Sequence, residues 1–507
     1  MSALLDRAIA YSSPVHALRR RRARLALASY EAAKPDRLRK FSRDHASGDQ
    51  LARSEARPIR AQARELDRNH DIARGALNVM VANIVGPRGI GIEPQPRSVS
   101  GEILEDLGQK LLDLWRDWCR RPEVTWQHSF AACQRLMART WLRDGEAFAQ
   151  NVEGIIPSLD HGTKVPYSIE MLEPDMVPSD LEMPTRDGKG GIVRNGWGRP
   201  VAYRVYKVHP GDTFLWRRAS ELVTIPAERM LHVKRVDRIG QSRGISEFAS
   251  VITRLEDLKD YEESERIAAK IAASMAAYIK KGQPESYEPA MDELGQVKRR
   301  NMRFQPGMIF DDLGAGEEIG TIDTNRPNTN LPAHRDGQLR AAAGGLGCSY
   351  SSLSRNYNGT YSAQRQELVE QWVIYQTLAE EFAAQFVRPV WERFVSLAVA
   401  AGLITVPAEL AEGSLDDALF VGQQMPWIDP KKEAEAFESL ETNTYISGPE
   451  IIRRRGGNPR DVVDQQKKWE AMKRSAGLAP KPAPNANPAG ADQAGVDPEQ
   501  PAAGAQQ

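Results

Sequence analysis

A thiol and an imidazole in one stretch of chain are the ingredients of a nucleophile and its base, and Cys348 with His334 is such a pairing. It would suit a Cys-dependent hydrolase or a DNA-processing enzyme. That chemistry needs a thiolate, which forms where a positive neighbour lowers the thiol pKa. Cys119 and Cys133 stand far from Cys348 and form no CxxC pattern, so neither a zinc site nor a disulfide framework is expected. The eight histidines show no HExxH or paired spacing. AAAGGLGCSY (341–350) has the glycines of a phosphate loop without its lysine, and GPRGIGIEP (86–94) runs into Pro94 rather than a helix, so neither reads as a nucleotide site. Glu262, Glu263 and Glu265 lie beside Arg266 in a helical run, where solvated i,i+4 pairing is simpler than carboxylate catalysis. The expectation is a protein with no catalytic residue, no metal and no cofactor, and not an enzyme.

SRNYNGTYSAQRQELVEQW, from Ser354 to Trp372, offers contact rather than catalysis. Arg355, Asn356, Tyr357, Asn358, Gly359, Thr360 and Tyr361 make a polar loop in which Asn and Gly tolerate positive φ. Ser362 reads as the N-cap of the helix that follows. The loop presents neutral hydrogen-bonding groups and one full charge, that of Arg355.

The elements that must hold this loop can be read from periodicity. Met1 to Arg74 carries more basic than acidic residues and reads as a basic arm, with a helix from Ala63 to Gly86 at its end. Amphipathic helices follow over 103–121 and from about Ser129 to Arg143. EAFAQNV, YSIEMLEP, GIVRNGWGRPVAYRVYKV with its Asn195-Gly196 turn, and ERMLHVKRV alternate as strands of a mixed domain. Trp197, Tyr203 and Tyr206 are expected to pack on that sheet. From Ile245 to Gly282 there is no proline and no internal glycine, which predicts one unbroken helix, its small residues allowing close approach of identical neighbours. Pro284 and Pro289 end it. GMIFDDLGAGEEIGTID reads as a hairpin turning at 314–316, and a shorter helix runs from Ala333 to Ala343. Leu368, Trp372, Tyr375, Ala379, Phe382 and Phe386 form one apolar stripe on a long helix kinked at Pro389. Short helices fill 403–475, and the Pro, Ala and Gly run from Ala479 onward is expected to be disordered.

The chain of 507 residues is long enough for several cores, and 41% apolar with 27% charged residues is the composition of a folded protein. Lys plus Arg and Asp plus Glu number 68 each, so any grip on nucleic acid must be local. No apolar run is long enough to span a bilayer, and the N-terminus lacks the pattern of a secretory signal.

Four stretches in order, RNHDIARGALNVMVANIVGPRGIGIEPQP (68–96), GRPVAYRVYKVHPGD (198–212), IPAERMLHVKRVDRIGQSRGIS (225–246) and LSRNYNGTYSAQRQELVEQW (353–372), resemble the lambda-type family of tailed-bacteriophage portal proteins. The resemblance implies an α+β portal fold, assembled as a ring oligomer of twelve copies, set in the virion at one capsid vertex after assembly in the host cytoplasm. It divides the chain into a basic arm (1–60), a mixed wing (61–243), a first long stem helix (244–282), a small α/β clip insertion (283–330), a second stem helix (331–346), the tunnel loop with the long wing helix (347–400), a helical crown (401–475) and a tail (476–507). Residues 355–361 fall where the family places the constriction facing DNA. Lys298, Arg299, Arg300 and Arg303 would lie in the clip, at the channel mouth or against the packaging motor. Lys270, Lys280 and Lys281 would lie on the stem helix, facing the channel or not according to its rotation. The implied partners are double-stranded DNA bound without sequence preference, the terminase large subunit, a head-tail connector, and the major capsid and scaffolding proteins, with no membrane. Another head-to-tail adaptor or minor capsid protein is the second structural alternative.

Overall fold

The computed structural model describes residues 13, 15–16, 46–179, 188–212, 221–273, 277–281, 317–321, 330–425 and 429–478. The chain begins its body with α1 (Gly48–Asn69), started by Ser47, whose hydroxyl accepts from the Gln50 amide at 3.2 Å. His70 is extended, and α2 (Asp71–Ile84) restarts beyond it, so the helix expected over 63–86 is two helices. α1 also corrects the arm: Ala52, Ala56 and Arg60 are buried, so residues 48–60 belong to the body. The short strand β1 (Gly91–Pro94), α3 (Glu105–Trp118) and α4 (Phe130–Asp144) follow. Gly145 ends α4 in the left-handed region, at φ 87.

The mixed region is built from β2 (Glu146–Glu153), β3 (Tyr167–Leu172), β4 (Gly188–Lys189), β5 (Ile192–Arg194), β6 (Pro200–Tyr206), β7 (Leu222–Pro226) and β8 (Met230–Lys234). All pairings are antiparallel, in the orders β3-β2-β8 and β4-β5-β6-β7. β2 is buried on both faces because its alternate residues face two cores. Ala147 and Ala149 join the main helical core, and Phe148 joins a second cluster with Ile192, Tyr203, Val205 and Ile225. The Asn195-Gly196 expectation gives way to a longer connection: the Asn195 amide donates to Arg199 O at 2.9 Å, and the left-handed residue is Gly198, at φ 80. Trp197 rides on this tip, 97% exposed, and does not pack on the sheet, whereas Tyr203 is buried and Tyr206 half-buried.

After Gly244 the single long helix is overturned. A short 3-10 turn leads into α5 (Ile252–Ala273), and Ala277–Lys281 forms a strand, β9, antiparallel to β10 (Glu317–Thr321). The alanines favour helix, but Tyr278 and Ile279 suit a strand, and ladder pairing with Glu317–Thr321 overrides the helical propensity. The described partner of Glu317–Thr321 is therefore β9; residues 308–316 lie outside the described residues. α6 (Leu331–Leu346) returns antiparallel in sequence order to the start of α5. Leu255 and Leu258 of α5 and Leu339, Ala342 and Leu346 of α6 are all in the main core. Farther along, Arg335 Nε donates to Glu262 at 2.6 Å and His334 packs on Tyr261.

α7 (Tyr350–Ser354) and α8 (Tyr361–Phe382) flank the polar loop. Trp372, Tyr375, Leu378, Phe382 and Phe386 face inward, as the stripe predicts, with Leu378 rather than Ala379 as the deeper residue. The expected disturbance at Pro389 appears as a π-helical turn, Ala383–Val387, before α9 (Arg388–Ala400). Proline cannot donate to the turn before it, and a widened turn accommodates the loss. Trp115, Trp118, Phe130, Trp391 and Phe394 stack at the centre, with ring centroids 4.8 to 5.8 Å apart. Beyond α9 lies a strand that the sequence did not announce, β11 (Ala418–Val421), which pairs with β1. α10 (Pro430–Thr442), α11 (Gly448–Arg454) and α12 (Pro459–Ser475) complete the described chain, giving an α+β protein. The tail from Ala479 lies outside the described residues. Among the described residues no helix is long and apolar enough to cross a membrane.

Candidate functional site: a polar loop at a helix N-terminus

Residues 355–360 join α7 to α8, and local side chains fix their path. Ser349 caps α7, accepting from Ser352 N at 3.2 Å, and the helix stops at Arg355 in the left-handed region, φ 58. Ser354 Oγ accepts from Asn356 N at 3.2 Å, Asn356 Oδ1 accepts from Asn358 N at 3.0 Å, and Gly359 N donates to Tyr357 O at 3.0 Å. The Gln364 side chain also donates to Tyr357 O. The cap of α8 is Thr360, not Ser362: its hydroxyl accepts from Ala363 N at 3.3 Å. Glu367, nearly two turns into α8, accepts from the Ser351 amide at 3.0 Å and from its hydroxyl, clamping the two helices beneath the loop.

The loop residues differ in exposure. Tyr357 and Tyr361 are 56% and 52% exposed, Arg355, Asn358, Gly359 and Thr360 are exposed, and Asn356 is half-buried. The N-terminal end of a 22-residue helix adds partial positive charge behind it, which favours an anion. The other candidate cations that lie among the described residues stand on different elements. Lys270 is exposed in the last turn of α5, while Lys280 and Lys281 lie on β9, at positions facing Glu318 and Glu317, and not on a stem helix. Lys298, Arg299, Arg300 and Arg303 lie outside the described residues.

The enzyme alternative meets a physical obstacle. Cys348 is 6% exposed, and burial pushes its thiol up to about 12, away from the thiolate a nucleophile requires. His334 sits against Tyr261 and Gln338 instead of activating it. Glu173, Asp175 and His209 place ligand atoms within 4.8 Å of one another, but cations already occupy this corner. Arg64 lies 2.7 Å from Asp175 and 3.4 Å from Glu173, and Arg60 lies 3.2 Å from Asp175.

One cluster was not legible as a site. Glu146, fully buried at the start of β2, accepts from Arg243 Nη2 at 2.6 Å, Arg60 Nη2 at 3.0 Å, His232 Nε2 at 3.0 Å and the Gly244 amide at 3.1 Å. Burial would raise its pKa, but Arg243 and His232 outweigh this and hold the carboxyl far below its usual range. Burial, with Lys234 and Arg243 nearby, pushes His232 down to about 4 against the opposing pull of Glu146. Between pH 6.5 and about 4 the unfolded chain thus binds more protons at His232 than the folded one. This contribution to stability is complete above the unfolded pKa and is lost as pH falls through the window, by up to ~1.4 kcal/mol per pH unit. His232→Gln is expected to flatten the dependence, read from urea denaturation at pH 7, 6 and 5; an unchanged slope would refute the assignment.

The described residues form an α+β body with a polar loop exposed at the start of α8. Residues 34–378, well over half of the chain, match the phage portal protein, lambda family, and the chain belongs to that family. It is a phage portal protein, 24% identical over 422 residues to the probable portal protein of Halomonas phage phiHAP-1, the match covering 80% of this chain and 79% of the relative. It is 23% identical over 465 residues to portal protein B of Escherichia phage lambda, covering 83% and 84% of the two chains. Among solved structures, a chain from the neck of an empty GTA particle shares 11% identity at a TM-score of 0.44, over 78% of this chain and 94% of that one.

Proposed function

We propose that copies of this chain, twelve to a ring, line a channel at one capsid vertex through which double-stranded DNA is packaged and ejected, with no catalysis of their own. The observation that carries this reading is the loop 355–361: exposed, neutral apart from Arg355, and seated at the positive end of α8. Symmetry turns one arginine per copy into a ring of charge. Backbone contacts of this kind carry no sequence information, as a conduit for a whole genome requires. A more basic loop would grip: neutralising 6–10 phosphates makes affinity fall ~10³–10⁵-fold between low and moderate salt, a sign of binding that opposes sliding. In this reading 283–330 docks the terminase large subunit, and the wing and crown meet the connector, capsid and scaffolding proteins in the virion.

The first test is negative-stain imaging of the purified protein, where rings with a central hole are expected and monomers at micromolar concentration would oppose the reading. The second is Arg355→Gly, which removes the charge and relieves left-handed strain of about 1 kcal/mol. Rings should persist, while the slope of log affinity for DNA against log salt should become shallower by about 1 for each phosphate that Arg355 no longer neutralises. An unchanged slope would take the loop away from the DNA.

A further inference from the structure

The last three helices have almost no core of their own. Among the described residues of α10, α11 and α12, the one buried residue is Pro459. Helices this short are marginal in water unless an apolar face is covered. Yet Tyr445, Leu478, Met472 and Trp469 are 80%, 60%, 56% and 53% exposed, with Val463 and Leu440 also exposed. Polar attachment to the body sits at the helix bases: Arg453 holds Glu93 through two bonds of 2.8 Å, and Arg116 pairs with Asp461.

Charge is sorted between these helices. α10 carries Glu435, Glu438 and Glu441 on exposed positions, whereas the outer turns of α12 carry Lys467, Lys468, Lys473 and Arg474 around Trp469. Pairs within each helix, such as Lys431–Glu435 at 3.9 Å and Lys467–Asp464 at 3.9 Å, are long and exposed and neutralise little of this contrast.

We infer that α10 and α12 meet across neighbouring copies of this chain. The acidic face of α10 on one copy seats the basic, Trp469-bearing half of α12 from the next. The inference rests on the ring reading above and specifies one surface that closes the ring. Opposite charges on two different faces of one chain suit a head-to-tail contact, in which each copy of a ring offers α10 to one neighbour and α12 to the other. The uncovered apolar residues then become the dry centre of that contact and the charges its rim.

The test uses the full chain at low salt, with ring fraction read by sedimentation velocity. Glu435→Lys, Glu438→Lys and Glu441→Lys together form one variant; Lys467→Glu, Lys468→Glu and Lys473→Glu form the other; a third carries all six changes. Each reversal alone is expected to lower the ring fraction roughly tenfold, and the combination to restore it. Restoration also excludes simple misfolding of the single reversals. Undiminished rings in both reversals, or no recovery in the combination, overturns the inference and leaves the ring reading intact. Reversals that spare the ring but block attachment of another virion protein overturn it as well, by assigning the face to that protein. If the unmodified chain forms no rings at any concentration, the ring reading fails first.

Discussion

Arg243→Met is expected to destabilise the folded chain by about 3–5 kcal/mol, the range found when one partner of a buried ion pair is removed. Arg243 is 1% exposed, and its Nε donates to both oxygens of Glu146 at 2.9 Å. Its Nη1 also donates to Gly190 O at 2.9 Å and Val177 O at 3.1 Å. Methionine fills part of the volume but leaves the buried Glu146 carboxylate with Arg60 as its one guanidinium partner beside His232 and the Gly244 amide, and takes a donor from two buried carbonyls, which costs free energy. Adding Glu146→Gln to the variant should recover part of the loss, because the under-compensated buried charge disappears. Urea denaturation of the three proteins measures both effects; a loss under about 1 kcal/mol for Arg243→Met alone would show the cluster to be peripheral.

Gly244→Ala should be more damaging still. A Cβ at Gly244 would lie 1.9 Å from Gly145 O, a backbone atom that cannot step aside and that already accepts from Arg235 N at 2.8 Å. Gly145 is equally constrained from its own side, its notional Cβ falling 2.3 Å from Ile245 C. Two chain segments therefore touch backbone to backbone where α4 turns into β2. The expected loss exceeds about 4 kcal/mol, the exceptional end of single-substitution effects. Gly101→Ala is the control: φ is 87 there, a left-handed conformation that Gly244 does not share, but nothing lies within 4 Å. It should cost only about 1–2 kcal/mol. Thermal denaturation compares the two, and a loss at Gly244 no larger than at Gly101 would show that the close approach is relieved at little cost.

These two positions mark what could be read in the sequence and what could not. Local signals were sound where local physics decides: the inward stripe of α8 and the break at Pro389; in the polar loop the left-handed residue is Arg355 and not the Asn or Gly that tolerate it best. They failed where distant partners decide. Alanines around residue 275 favour helix, yet β9 pairs with Glu317–Thr321, inside the 283–330 insertion, and no short window of sequence contains both. β11 has four residues and finds β1 across most of the chain, too short for alternation to announce it. The Glu146 cluster joins α1, β2, β8 and the loop at Arg243, and each member read singly is an ordinary charged residue. Trp197 was misjudged because aromatic residues in a strand pattern usually pack, whereas Asn195 folds the chain back through its own side chain and leaves the indole outside.

Helices α5 and α6 leave and re-enter the body at one place. A Cβ on Gly345 would lie 2.5 Å from Val251 Cγ1, and Ser250 Oγ reaches Gly345 O at 3.5 Å. Everything between those residues is in effect a cassette whose two cut ends already touch. Because closing a longer or shorter loop between fixed ends changes the entropy only logarithmically with its length, the outer part of this excursion is free to be rewritten, lengthened or exchanged between viruses while the body that anchors it keeps its core. Divergence in this lineage should therefore gather in the excursion's far end and thin out toward Leu255 and Leu346.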